Sequence, residues 1–99
     1  MRMSEVMGVK VVTKKSIPAR EPKGDVSIHI NKKVGRFVYT FSVQRHKGTY
    51  GYESGLFEVG IWQKGSMDIK VVGWLTWSEV RAIYEFWRYC IIPLFEFYL

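Results

Sequence analysis

The sequence contains little cysteine and histidine, and no motif of a known catalytic centre. Its single cysteine, Cys90, excludes an intramolecular disulfide and a zinc site built from several cysteines. Its two histidines, His29 and His46, lie outside any HExxH, GxSxG or phosphate-loop pattern. We therefore predict no catalytic residue, no metal site and no cofactor, and expect that the protein is not an enzyme.

Long apolar runs are missing as well. The opening segment, residues 1–10, has no apolar stretch of the length that a signal peptide needs. Residues 77–99 are richer in apolar side chains, but they contain five charged residues and Pro93. That composition argues against a membrane-spanning helix. With one cysteine, the chain fits a reducing cytoplasm.

Acidic residues are scarce in the first half of the chain. Residues 1–50 contain eleven Lys and Arg against three Asp and Glu, whereas residues 51–99 contain four against six. A basic half is typical of proteins that contact a polyanion or an acidic protein surface. Solubility alone is the alternative explanation, and the charge does not decide between the two.

Two segments alternate apolar and polar residues strictly, as half-buried strands do. In residues 25–31 the apolar side chains are Val26, Ile28 and Ile30, and in residues 35–44 they include Phe37, Tyr39, Phe41 and Val43. The four residues KKVG between the two strands predict a hairpin that pairs Ile30 with Phe37. An even loop keeps both apolar sets on one face of the sheet.

A second hairpin is predicted from LFEVGIW and DIKVVGWL. Its inward set is all odd-numbered: Phe57, Val59 and Ile61 on one strand, with Ile69, Val71 and Leu75 on the other. Such a pairing requires an odd loop, most simply 64–66 or 65–67. A further short strand is predicted over residues 9–13.

A helix is predicted over residues 77–91. Thr76 and Glu79 have the spacing of a capping box, a specific start signal. Pro93 disfavours helical geometry at the preceding residue and so ends the helix near Ile91. One face of this helix is apolar, with Trp77, Val80, Ile83, Tyr84, Trp87 and Ile91.

These elements predict an α+β fold in a single domain over residues 9–99. It is an antiparallel meander of four to five strands, with one C-terminal helix packed on its apolar face and a polar face that stays wet. Residues 1–8 are expected to be flexible. Residues 14–24, with two prolines and several cations, are predicted to be an extended linker.

Segment 45–55, RHKGTYGYESG, is the leading candidate for a binding site. It has three basic residues, three glycines and two tyrosines but no aliphatic residue. Long loops in small domains often carry function, and aromatic side chains make effective anchors. An equally weighted alternative is a flap whose tyrosines fold back onto the sheet. The predicted partner-binding residues are Arg45, His46, Lys47, Tyr50 and Tyr52, followed by Lys32, Lys33 and Arg36.

The helix offers a second candidate surface. Phe86 and Tyr89 lie on a flank outside the core stripe, near the apolar tail 94–99. This is more apolar surface than one helix needs to cover four strands. The excess is explained if the tail packs on this flank. The alternatives are self-association through the flank or a groove that binds a partner.

The stretch from residue 50 to residue 80 resembles a pattern in small uncharacterised proteins of tailed bacteriophages. In that pattern a Tyr-Gly loop leads into a Gly-Leu-(Phe/Tyr)-Glu strand, and a Gly-(aromatic)-Leu-Thr step leads into a helix. The matching positions are Tyr50, Gly51, Gly55, Leu56, Phe57, Glu58, Gly73, Leu75, Thr76, Glu79 and Val80. Such proteins tend to be acidic, and the basic half of this chain departs from them. The resemblance implies a phage-encoded protein in the cytoplasm of a bacterial host, and it brings no known active site.

Together these features predict a small, non-catalytic, phage-type binding protein that occludes a host or defence protein complex, as an inhibitor does. One alternative is direct, weakly sequence-selective binding of single-stranded nucleic acid through the same basic loop. A second alternative is a structural protein that self-assembles through the C-terminal helix and tail, with Phe86 and Tyr89 in the contact.

Overall fold

The structure is a computed structural model that describes residues 10–91. The predicted flexible start (1–8) and the tail (94–99) lie outside this range. Within it the fold is α+β, as predicted from the sequence. The elements are β1 (Val12–Lys14), β2 (Val26–Val34), β3 (Phe37–Arg45), a short 3₁₀ turn (Tyr52–Ser54), β4 (Phe57–Gln63), β5 (Lys70–Leu75), α1 (Trp77–Phe86) and a π-helical turn (Trp87–Ile91).

The strands form one sheet in the order β1-β2-β3-β4-β5. The pairs from β2 to β5 are antiparallel, as a meander requires. Strand β1 differs because it runs parallel to β2, with Val12 opposite Ile28. A parallel pair needs a crossover connection, and residues 15–25 provide it. This connection packs onto the helix side of the sheet, where Ile17 is buried in the core and the Arg81 guanidinium donates to the Ala19 carbonyl.

The first hairpin is longer than predicted. Strand β2 continues through both lysines to Val34, which lies opposite Phe37, and only Gly35 and Arg36 form the turn. Gly35 has a φ of 61°, which favours glycine. Ile30 therefore lies opposite Phe41, so the predicted partner, Phe37, is wrong by four residues. An even shift leaves each apolar side chain on the predicted face.

The second hairpin departs further from its prediction. Ile61 lies opposite Lys70, so residues 64–69 form a long connection instead of a three-residue loop. This register places Val71 opposite Gly60, on the sheet face away from the helix, and leaves Val71 about half exposed. Ile69 is also exposed. The prediction that Ile69 and Val71 point into the core is therefore wrong.

A β-bulge in β5 explains how Leu75 nevertheless reaches the core. Val72 lies opposite Val59 and Leu75 opposite Phe57, so Gly73 and Trp74 share the position opposite Glu58. Trp74 has a φ of 55°, in the left-handed region that a bulky residue rarely adopts. The extra residue reverses the alternation along the strand and directs Leu75 inward.

Helix α1 begins as predicted. The Thr76 hydroxyl accepts from the Glu79 N–H, and the Glu79 carboxylate accepts from the Thr76 N–H in return. Its apolar stripe packs on the sheet, where Tyr84 and Trp87 contact Phe41 with ring centroids 5.3 Å away. The core residues are Ile17, Val26, Ile28, Ile30, Tyr39, Phe41, Val43, Phe57, Val59, Leu75, Trp77, Val80, Tyr84 and Trp87.

The middle of the polar face of the sheet is buried, so the prediction that this face stays wet is wrong there. Ser27, His29, Thr40 and Ser42 are each less than 5% exposed. The Trp62 ring lies edge-on to the imidazole of His29, with centroids 5.3 Å apart. Strict alternation identified the two faces, but a polar face is not necessarily a solvated one.

Candidate binding surface

Arg45, one of the residues predicted to contact a partner, is held by hydrogen bonds within the chain. It is 9% exposed and uses its guanidinium to hold the connection between β1 and β2. Nε and Nη2 donate to the Gly24 carbonyl, and Nη2 also donates to Pro22. Nη1 donates to the Glu21 carboxylate and to the Gly55 carbonyl, both at 3.3 Å. These bonds occupy the donor fork that a partner would need.

His46 is fully buried, so it is not available to a partner either. Its Nδ1 lies 3.1 Å from the Lys47 carbonyl oxygen. Its Nε2 lies 2.9 Å from the side-chain amide of Gln44, which in turn lies 2.9 Å from the Ser42 hydroxyl. His46 thus extends the buried polar network of the sheet. In sequence, a histidine between two cations gave no sign of this burial.

The rest of the predicted loop is divided between structural and accessible residues. Lys47 and Tyr50 are exposed, and Tyr52 is half-buried. Tyr52 lines an open cleft with Asp25, Arg45 and Glu53. Of the five loop residues that we predicted, Lys47, Tyr50 and Tyr52 therefore present surface to solvent.

Tyr50 lies against strand β5 of the sheet, where its ring stacks on that of Trp74 at the surface. Their ring centroids lie 5.3 Å apart at an interplanar angle of 31°, and the residues are 58% and 61% exposed. The sequence analysis did not connect Trp74 with Tyr50. Only the bulge in β5, which gives Trp74 its positive φ, brings the two rings together.

Three features of the backbone hold this pair in place. The Tyr50 N–H donates to the Glu58 carboxylate at 2.8 Å. A Cβ atom on Gly73 would lie 2.5 Å from the Cβ of Tyr50, so only glycine leaves room for the tyrosine there. Gly51, at a φ of 93°, lies against the Trp74 backbone in the same way. The glycines of the "YG" and "GW" steps thus make the close approach of loop and strand possible.

The predicted basic residues of the first hairpin lie at the other end of the sheet. Lys32, Lys33 and Arg36 are exposed, and strand β3 separates them from the loop by about 26 Å. Lys64 joins them, since its N–H donates to the Val38 carbonyl and brings the two hairpins side by side. These four cations form one basic tip, of which Lys64 was not predicted because it belongs to the other hairpin.

Phe86 and Tyr89 are exposed, at 54% and 62%. The Arg88 guanidinium donates to the Tyr89 hydroxyl and lies 4.4 Å from the centroid of that ring. This hydrogen bond, followed by one to Tyr84, raises the pKa of Arg88 above its ordinary value. Contact between this flank and the apolar tail falls outside the described residues, as does the Cys90 side chain.

Within residues 10–91, no three His, Cys, Asp or Glu side chains lie close enough together to hold a metal ion. None of the helices in that range is long and apolar enough to cross a membrane. Comparison with protein-family models, with curated proteins and with solved structures finds no match.

Proposed function

We propose that this chain is a small, non-catalytic binding protein that covers a surface of a partner protein. The Tyr50–Trp74 pair forms the centre of the contact, and the exposed Lys47 lies three residues before Tyr50 in the same loop. The burial of both histidines supports a role without general acid-base catalysis, because neither ring is open to a substrate.

The observation that carries the proposal is the exposure of a preorganised aromatic pair. Trp74 is held at a φ of 55°, and non-glycine residues in that region persist only where the surrounding structure fixes them. Such strain is concentrated at functional sites. Tyr and Trp are the most frequent hot-spot residues of protein interfaces, and a rigid pair loses little entropy on binding.

A carboxylate beside the rings favours a protein over a nucleic acid as the partner. Glu58 accepts from the Tyr50 N–H and so lies directly beside the aromatic pair. A phosphate backbone that followed the rings would meet this negative charge. In addition, the basic tip lies about 26 Å away along β3. The aromatic pair and these cations therefore do not form one continuous binding surface for a nucleic-acid strand.

The resemblance to small phage proteins suggests which partner class to test first. We propose a bacterial host or defence protein, bound and occluded in the host cytoplasm. The basic tip of Lys32, Lys33, Arg36 and Lys64 would add attraction for an acidic or nucleic-acid-facing surface of that partner.

The proposal is tested by capture from a bacterial lysate with three baits: the unchanged chain, Gly73→Ala and Phe86→Ala. Gly73→Ala displaces Tyr50 without altering either ring, and Phe86→Ala alters a different exposed aromatic residue. We expect a protein that the unchanged chain and Phe86→Ala capture and that Gly73→Ala does not. Equal capture by all three baits would contradict the proposed surface.

Single-stranded nucleic acid is the second candidate, because exposed rings near cations can stack bases. It is tested with labelled single- and double-stranded DNA and RNA oligomers at two salt concentrations. Direct binding predicts a slope of log K against log salt of about −0.7 for each phosphate contacted. Lys47→Ala is the proper variant for this assay, since Arg45→Ala would remove a structural contact. Tight, salt-steep binding that Lys47→Ala weakens would favour this candidate over a protein partner.

A further inference from the structure

The outer edge of the sheet at β5 is open and apolar. Among the described strands β5 pairs only with β4, and no described strand covers its other edge. Met67, Ile69, Val71 and Val72 are 98%, 53%, 48% and 50% exposed along this edge and the segment before it. An edge strand with apolar side chains and without proline or a covering element pairs readily with another strand.

The order of residues from 67 to 71 is self-complementary. The run reads Met-Asp-Ile-Lys-Val, with one acidic and one basic residue placed symmetrically about Ile69. If a second copy lies antiparallel with the two Ile69 residues opposite each other, Met67 of each copy faces Val71 of the other. Asp68 of each copy then faces Lys70 of the other. Residues that are directly opposite share a sheet face, so the apolar contacts lie on one face and the ion pairs on the other.

The charges in this run have no ion-pair partner of their own. In the described part of the chain, neither Asp68 nor Lys70 forms a salt bridge, and the one salt bridge found there joins Arg45 to Glu21. Both residues line one small cavity beneath the turn that precedes β5, and both are exposed. Any register that places Lys70 opposite Lys70 loses the two ion pairs and sets like charges against each other.

We infer that two copies of this chain associate by antiparallel pairing of residues 67–71, centred on Ile69, with residues 67–69 extended on association so that they continue β5. The pairing covers the exposed apolar side chains of Met67, Ile69 and Val71 in both copies. It uses residues 67–71 and therefore differs from the self-assembly surface predicted from sequence, the C-terminal helix and tail. Because the pairing is short, it buries less area than a standard stable interface, and we expect a dissociation constant on the order of 10 µM.

The experiment measures the mass of the full chain by sedimentation equilibrium over a concentration range that spans the expected dissociation constant. We expect a reversible change from 11.6 kDa to twice that mass. A mass of 11.6 kDa at every concentration would overturn the inference.

Charge reversal tests the register. Lys70→Glu places a second carboxylate opposite Asp68 at both ends of the pairing, and Asp68→Lys places a second ammonium group opposite Lys70 in the same way. Each variant alone is expected to weaken the dimer about tenfold or more. Mixing the two variants in equal amounts creates two opposite-charge pairs across the contact, so a heterodimer is expected to form with near-normal affinity. Recovery would support the pairing, because a second chain cannot rescue an effect within one chain. No recovery on mixing would overturn the pairing, because it would show that residues 68 and 70 do not face each other across the contact.

Ile69→Lys gives a further test, since it places two ammonium groups opposite each other on the axis of the dimer. We expect only monomer in the measured range. The matched control is Val12→Lys on the other edge strand, where Val12 is 49% exposed, and this variant should dimerise normally. A dimer that is unaffected by Ile69→Lys, or that Val12→Lys abolishes, would overturn the assignment of the edge.

Discussion

Replacement of Arg45 by methionine should release the connection between β1 and β2 from the sheet. The guanidinium bonds the carbonyls of Pro22, Gly24 and Gly55 and the Glu21 carboxylate. Hydrogen bonds to a charged group each contribute about 1.5–3 kcal/mol, but the freed acceptors lie near solvent and regain water, so the full sum does not apply.

The expected loss of stability has two parts. Of the three carbonyls, those of Pro22 and Gly24 lose short hydrogen bonds of 2.8 and 2.9 Å, which costs about 3 kcal/mol in total. Loss of the cation–π contact with Phe57, 4.4 Å from the guanidinium carbon to the ring centroid, adds about 0.5–1 kcal/mol. The free energy of unfolding should therefore fall by about 3–4 kcal/mol, a large share of the roughly 5–15 kcal/mol typical of a domain.

The assay is urea unfolding combined with amide hydrogen exchange. Exchange should accelerate in residues 20–25 and 53–56 of Arg45→Met, while the hairpin turn at 34–37 keeps its rate. Glu21→Gln is the control, since it removes only an ion pair whose carboxylate side chain is 56% exposed, and it should cost less than about 1 kcal/mol. If Arg45→Met lowers the free energy of unfolding by less than about 1 kcal/mol, Arg45 does not hold this connection.

Further predictions concern the aromatic pair and the helix cap. Gly73→Ala should lower the free energy of unfolding by about 1–3 kcal/mol, because the added Cβ overlaps Tyr50. Urea unfolding measures this loss. An unchanged unfolding midpoint would show that the loop moves away without cost. Trp74→Gly removes the ring and relieves the positive φ, so it should change stability by less than about 1 kcal/mol while it abolishes partner capture. The backbone N–H and then the side chain of Thr76 lower the pKa of Glu79, so the carboxylate stabilises the folded state above its unfolded pKa. This contribution should decline as the pH falls below the ordinary glutamate pKa of about 4.3, and Glu79→Gln should lack that part of the pH dependence of stability.

Alternation and capping allowed much of the fold to be predicted. The apolar residues of β2 and β3 lie on the predicted face, because a register error of four residues preserves the face. Thr76 and Glu79 are close in sequence and bond each other directly, so their spacing was sufficient to predict the start of α1. Features that depend on neighbouring residues were accessible from the sequence alone.

Features that depend on distant residues were not accessible. Arg45 is buried because the chain returns at residues 21–24, and nothing near Arg45 in sequence indicates that return. The pairing of Tyr50 with Trp74 requires the bulge in β5, which reverses the alternation that the prediction assumed. The parallel position of β1 likewise depends on the path of the 15–25 connection.

The most direct test of the proposed binding surface is the dissociation constant of the captured partner for three chains: unchanged, Tyr50→Ala and Phe86→Ala. Loss of a central aromatic anchor costs about 2 kcal/mol, so Tyr50→Ala should weaken binding roughly 30-fold. Phe86→Ala should leave the dissociation constant unchanged. The opposite result, with normal binding by Tyr50→Ala and weak binding by Phe86→Ala, would contradict the proposed surface and place the contact on the helix flank.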